Sequence, residues 1–247
     1  MNEIIDSNKR IRHKFLESES KVLYETADEF ILAQFFKDTL RIEGHIIEIS
    51  GKGVLNNSIS ALLMNKLDMV GIENHYIEKI NMREQLVQHV DIIPVKIFVN
   101  NIAYGRYTKD FSIDAGYVFD KPLIDFQAKN KSNLLCRVNE EQLLGFGWLD
   151  SKEIKQIKIQ ASRVNDFLTG FFAGVGLRLV QIELNFGRVF DGEEFIIMLS
   201  GEISPETCVL FNLHDNNLFG LDFAATNFQE LSNSGLSIYQ KIASRLS

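Results

Sequence analysis

The stretch Leu177-Arg178-Leu179-Val180-Gln181-Ile182-Glu183-Leu184-Asn185-Phe186 decides the fold. From Val180 to Asn185 apolar and polar residues alternate, the period of a strand with one buried and one wet face. Val180, Ile182 and Leu184 take the buried side, and Gln181, Glu183 and Asn185 share the other. Glu194–Ser200 is again apolar, and Asp191-Gly192 between the two runs predicts a hairpin. The polar trio reads either as a solvated strand face or as the lining of a pocket.

Working outward, Asp150–Gly176 is the longest helical pattern, with Ile154, Ile157, Val164, Phe167, Leu168 and Phe171 as its stripe. Asp150 or Ser151 is placed to cap it, and Gly174 or Gly176 to end it. Near the N-terminus, Lys21–Glu25, Phe30–Phe36 and His45–Ser50 read as strands. A helix follows, with Leu55, Ile59, Leu62, Leu63 and Leu67 at helical spacing and Gly71 as its stop. Strands return between His75 and Ala103, residues 105 to 140 read as loops with a short helix, and Ser234–Leu246 as a closing helix. Strands first, a mixed middle and a helix last predict an α+β protein.

The chain has 247 residues, 45% hydrophobic and 24% charged, which suits a soluble globular protein with a sizeable core. Its net charge of −7 argues against a nucleic-acid partner. The one basic cluster, Lys9, Arg10, Arg12 and Lys14, reads as a solvated lead-in. No run approaches the roughly 18 to 20 apolar residues that span a bilayer, so no membrane partner is expected. Cys136 and Cys208 are too isolated for a disulfide framework or a zinc site, and predict reduced thiols in a cytoplasmic protein. The five histidines are scattered, so no metal ligands are assigned.

Six segments then occur in a telling order. They are Lys52-Gly53-Val54-Leu55-Asn56-Asn57, Asp91-Ile92-Ile93-Pro94-Val95, Asn101-Ile102-Ala103-Tyr104-Gly105, Val138-Asn139-Glu140, Phe146-Gly147-Trp148 and Gly201-Glu202-Ile203-Ser204-Pro205-Glu206. Each is weak alone; in this collinear order the chain resembles the SAICAR synthetase family over nearly its whole length. The resemblance implies an α+β, two-lobe fold with a cleft between the lobes, a first lobe (residues 1–103) like a kinase N-lobe and a second lobe (104–247). It also implies ATP and Mg²⁺, and a ligation of aspartate to a carboxylated aminoimidazole ribonucleotide through an acyl phosphate. Matches to the pattern survive at Lys21, Asp38, Lys52, Asn57, Lys129, Asn139, Glu202 and Ser204.

The departures are as informative. The pattern's phosphate loop, approximately Arg-Gly-Lys-Ala-Lys, is Glu17-Ser18-Glu19-Ser20-Lys21 here, and reads as one that no longer cradles a triphosphate. The first signature's Pro-Val-Glu is Pro94-Val95-Lys96, its two arginines are Asn100 and Ile102, and its serine is Arg106. The second, Leu-Val-Asp-x-Lys-x-Glu-Phe-Gly, is Leu179-Val180-Gln181-Ile182-Glu183-Leu184-Asn185-Phe186-Gly187. An Asp-Glu pair on the hairpin partner is Gly201-Glu202, which with Asn185 removes two candidate magnesium anchors.

These changes predict an enzyme repurposed to act on a purine-type or imidazole nucleotide in specialised nucleoside biosynthesis. The alternatives are a genuine ATP-dependent SAICAR synthetase and a non-catalytic nucleotide-binding protein. Glu183 and Glu202 are the candidate acid/base pair. Lys21, Asp38, Lys52, Asn57, Arg106, Lys129, Asn139, Gln181, Asn185 and Ser204 are the candidate substrate contacts. Asn57, Asn139 and Ser204 also read as caps or turn anchors. The apolar C-terminal portion is compatible with a homodimer.

Overall fold

The computed structural model describes residues 12–42, 45–132, 134–214, 218–219, 240 and 243–244; the expected closing helix at 234–246 falls largely outside them. A five-stranded antiparallel sheet runs in the order β1 (Lys14–Glu17), β2 (Lys21–Glu25), β3 (Ile31–Phe36), β7 (Glu84–Gln88), β6 (Tyr76–Lys79). A small ribbon, β4 (Thr39–Ile42) with β5 (His45–Glu48), leads into helix α1 (Lys52–Met69). The larger sheet follows the order β10 (Leu135–Val138), β9 (Val118–Lys129), β8 (Asp91–Ile102), β11 (Leu177–Phe190), β13 (Cys208–Asn212), β14 (Leu218–Phe219), and β12 (Phe195–Ser200) also pairs with β11. Helices α2 (Arg106–Asp110), α3 (Glu140–Gly145) and α4 (Ser151–Gly174) complete the described elements. This is the α+β architecture that the sequence predicts. No helix among the described residues is long and apolar enough to cross a membrane.

The period-two reading of β11 holds. Val180, Ile182, Leu184 and Phe186 are buried; Ile182, Leu184 and Phe186 pack with the α4 stripe of Ile154, Ile157, Val164 and Leu168. The same core takes in Ile59, Leu63, Met64 and Leu67 of α1, so one apolar body backs the large sheet. Asp150 caps α4 by accepting from the Glu153 amide, in a reciprocal capping box.

Two expectations change. Residues 105–140 are not mainly loops: β9 is a twelve-residue strand with β10 beside it. The wet side of β9 carries Asp125, Gln127 and Lys129, and that polarity masks the strand in one dimension. The lobe boundary expected at residue 103 also falls after β8, yet β8 pairs with β9 and β11 in the larger sheet.

Asp38 sits at the start of α1. Its carboxylate accepts from the amides of Gly53 (2.8 Å) and Gly51 (3.2 Å) and takes both Arg83 guanidinium nitrogens (2.8 and 2.7 Å). Burial pushes its pKa up, but Arg83 and these amides outweigh that and hold it below the ordinary value. Gly53 is packed so closely that a Cβ there would lie 2.4 Å from the Phe36 carbonyl oxygen. Gly53→Ala is therefore expected to cost about 1–3 kcal/mol in urea unfolding. A loss within a few tenths would show that the helix start is free to shift.

Candidate functional site

A cleft of about 600 Å³ opens between the two sheets. Its floor is the wet face of the large sheet. Register places Gln181 opposite Asn100, Glu183 opposite Phe98 and Asn185 opposite Lys96. On the far side of β8, Lys96 faces Gln127, Phe98 faces Asp125 and Asn100 faces Leu123. Directly paired residues share a sheet face, so the polar trio of β11 joins polar groups of β8 and β9 on one surface. Of the trio, Glu183 and Asn185 line the cleft, together with Lys96 and Gln127.

Two ionic groups organise the floor. Lys96 and Glu183 form an ion pair across the β8–β11 boundary. Asp125 is held by Arg106, by Arg137, by the Tyr107 hydroxyl at 2.5 Å and by Asn100 Nδ2 at 3.1 Å. Burial pushes the Asp125 pKa up, but the hydroxyl and the two guanidiniums outweigh it and keep the group below its usual value. Gln181 donates to Asn100 Oδ1 (2.6 Å), which ties the far end of the floor together.

The inner corner is acidic. Glu202 is only 4% exposed; Oε1 accepts from Ser20 Oγ at 3.3 Å and lies 3.6 Å from Lys21 Nζ. Its Oε2 is buried with no hydrogen-bond partner among the described residues. A buried, unsatisfied carboxylate oxygen is costly. Behind it Glu206 accepts from the fully buried Lys52 and from Asn56 Nδ2 at 2.5 Å. Burial and the neighbouring charge of Glu202 outweigh Lys52 and push the Glu206 pKa up to about 7. His75, wholly buried, has its pKa lowered to about 4 by that burial, so its neutral ring donates through Nε2 to the Gly201 carbonyl at 2.8 Å.

Glu206 has a stability consequence. The folded protein keeps this proton up to about pH 7, whereas an ordinary carboxyl releases it near 4.5. The native state binds more protons in that window, so the group's contribution is full below it and fades as pH rises through it. Melting temperature is expected to fall across this range, and Glu206→Gln to flatten the profile. An unaltered slope in the variant would assign the effect elsewhere.

Of the residues singled out in the sequence, Lys21, Lys129, Glu183, Asn185 and Glu202 line the cleft. Lys52 stands behind it through Glu206, and Gln181 and Arg106 extend the floor. Asp38 holds the start of α1, and Asn57 Nδ2 donates to the Asn81 carbonyl at 3.0 Å. Asn139 caps α3 in a capping box, and Ser204 Oγ accepts from the Glu206 amide at 3.1 Å. These last four side chains shape the frame. Glu183 is not a free base, because Lys96 occupies it. Sequence reading passed over Lys96 as a partner, and over Glu206, Ser20 and His75. Glu206 stood in a quoted motif; Lys96 was visible only as a departure.

Magnesium, implied by the resemblance, can be tested against these donors. Asn185 and Gly201 offer no carboxylate, and a Cβ on Gly201 (φ +80°) would lie 3.1 Å from Asn185 Nδ2. No cage of three or more His, Cys, Asp or Glu exists among the described residues. Magnesium on a nucleotide needs less, one or two carboxylates plus the phosphates. Glu202, with its unpartnered oxygen, fits that requirement; Glu206 beside it is taken by Lys52 and Asn56.

Comparisons with known proteins agree with this geometry. A sequence profile described as SAICAR synthetase matches residues 14–239. The chain is 50% identical over 237 residues to the phosphoribosylaminoimidazole-succinocarboxamide synthase of Rickettsia rickettsii (strain Sheila Smith), covering 96% of this chain and 99% of that one. A crystal structure of the synthase of that name from Ehrlichia chaffeensis is 34% identical, with a TM-score of 0.89 and coverage of 95% and 98%. A SAICAR synthetase in complex with ADP is 26% identical, with a TM-score of 0.87 and coverage of 94% and 97%. Likeness of this extent overturns the expectation of an enzyme repurposed for specialised nucleoside biosynthesis. It gives no support to the expected loss of ATP use either. The altered segments still line a polar cleft, in which Lys96 pairs with Glu183 and Glu202 is buried.

Proposed function

The chain belongs to the SAICAR synthetase family, and on that premise we propose that it is the ATP-dependent ligase itself. It joins aspartate to a carboxylated aminoimidazole ribonucleotide, giving ADP and phosphate. The observation that carries the reading is Glu202, whose Oε1 meets Ser20 and Lys21 while its buried Oε2 has no hydrogen-bond partner among the described residues.

The residues divide the work. Leu23, Leu32 and Val87 of the small sheet, with Ile93 and Val95 opposite, form an apolar slot suited to a flat purine base. Ser20 and Lys21 stand at the phosphate end, and Lys21 Nζ offers a cation for a phosphate oxygen. Glu202 would hold magnesium, which neutralises triphosphate charge when bound. Lys96 and Lys129 on the floor supply ammonium groups for the acidic substrate. In a phosphoryl transfer of this kind the protein mainly positions reactants and balances charge, and the cleft is built for that. The setting that suits these substrates is the cytoplasm.

The test is ADP release by purified protein given ATP, Mg²⁺, aspartate and the carboxylated ribonucleotide, with each component omitted in turn. ADP release that needs all four supports the ligase. A folded protein that releases none rejects it.

A further inference from the structure

We infer that His75 is a positioning residue for Glu202: its ring holds the Gly201 carbonyl and so aims the carboxylate that would carry magnesium. The assignment rests on the ligase reading above, and adds to it a residue that lies outside the collinear segments of the sequence. Gly201 and Glu202 share the peptide whose oxygen His75 takes, with Nε2 donating at 2.8 Å. A peptide is planar, so holding its oxygen holds the plane from which the Glu202 side chain departs. Gly201 is what would otherwise let that plane turn. It sits at φ +80° and has no Cβ, and a Cβ there would lie 3.1 Å from Asn185 Nδ2. Glycine meets both demands, at the cost of leaving its own ψ loosely fixed. The ring supplies the restraint that the glycine lacks.

A restraint must itself be fixed, and this one is. The His75 amide donates to the Leu199 carbonyl of β12 at 2.9 Å, and the His75 carbonyl accepts from the Gln88 amide of β7 at 2.7 Å. Asn74 before it donates through Nδ2 to the Met64 carbonyl of α1 at 2.9 Å and accepts at Oδ1 from the Tyr76 amide at 3.1 Å. The backbone that carries the ring is thus tied to three elements at once. The ring is buried and neutral, so it has a single N–H. A carbonyl can only accept, which puts that hydrogen on Nε2. Burying an N–H is costly unless a partner takes it, and here the partner is the oxygen beside Glu202.

Calorimetric titration with ATP–Mg²⁺ tests this on the natural protein, His75→Phe, His75→Gln, Glu202→Gln and the double variant H75F/E202Q. His75→Phe keeps a ring and removes the donor, and is expected to weaken ATP–Mg²⁺ by roughly tenfold. The glutamine amide nitrogen lies as many bonds from Cα as the ring nitrogen does, so His75→Gln should recover to within about threefold. His75 acts through Glu202, so H75F/E202Q should bind no more weakly than Glu202→Gln. A merely structural loss would add to it instead. His75→Asn, whose amide falls one bond short, replaces His75→Phe should the latter not fold. ATP–Mg²⁺ affinity of the donor-less variant equal to that of the natural protein overturns the assignment. So does a fully additive double variant, or a His75→Gln protein that melts like the natural one yet binds as weakly as His75→Phe. If this binding pattern is found but no ADP is released with aspartate and the ribonucleotide, the ligase reading fails and the His75 assignment stands. If ADP is released and the two losses add, the ligase stands and the assignment fails.

Discussion

Glu202→Gln is expected to lower the rate of ATP-dependent ligation by roughly 100- to 1000-fold while leaving the melting temperature unchanged or raised. The two directions come from one geometry. Glu202 is buried beside a second carboxylate, Glu206, and one of its oxygens has no donor. For the empty protein that arrangement costs stability, by about 1–3 kcal/mol for the unsatisfied atom. Glutamine keeps the shape, removes the like charge and should let the Glu206 pKa fall back toward its ordinary value. What it cannot do is hold a divalent cation on a nucleotide. Near-normal turnover by the glutamine variant would remove Glu202 from the chemistry and leave its burial unexplained.

Lys52→Met is expected to have the largest effect on stability, about 3–5 kcal/mol in denaturant unfolding. The Lys52 side chain is wholly buried, and its ion-pair partner is Glu206. Removing the ammonium leaves Glu206 beside the charge of Glu202 with no cation of its own and only Asn56 as a side-chain donor. The charge pair itself need not be favourable, because both groups were stripped of water to form it. The double variant K52M/E206L should therefore recover most of the loss, since it deletes charge from both sides. A loss below about 1 kcal/mol for Lys52→Met, measured at a pH where Glu206 is ionised, would mean that Lys52 reaches solvent.

What the sequence made legible follows the range of the forces involved. The alternation in β11 and the stripe of α4 are local patterns, and both describe the structure, as does the Asp150 cap. The box of Asn139 with Gln142 was equally local and marks a frame residue. Strand β9 was missed because its wet face belongs to a cleft and so carries the polarity of a loop. The Lys96–Glu183 pair was beyond reach: 87 residues separate the partners, and only the register of two strands brings them together. That is why two motif departures looked like decay of a site. Arg106 was expected to contact a phosphate or carboxylate of the substrate; its partner in the structure is Asp125 of β9, which also takes Arg137 of β10, and both lie far from it in sequence.

The joints between the two sheets differ from one side of the cleft to the other. His75 is tied to β12 and its end twice, by its amide to the Leu199 carbonyl (2.9 Å) and by its ring to Gly201. Asn74 bridges to Leu199 beside it. Across the cavity, the loop of Ser20 and Lys21 reaches Glu202 only through side chains at 3.3 and 3.6 Å. One side is joined through backbone as well as side chains, and the other through side chains alone. A nucleotide that displaces those side-chain contacts is therefore expected to slow amide exchange at residues 18–21 and to leave residues 74–75 as they were.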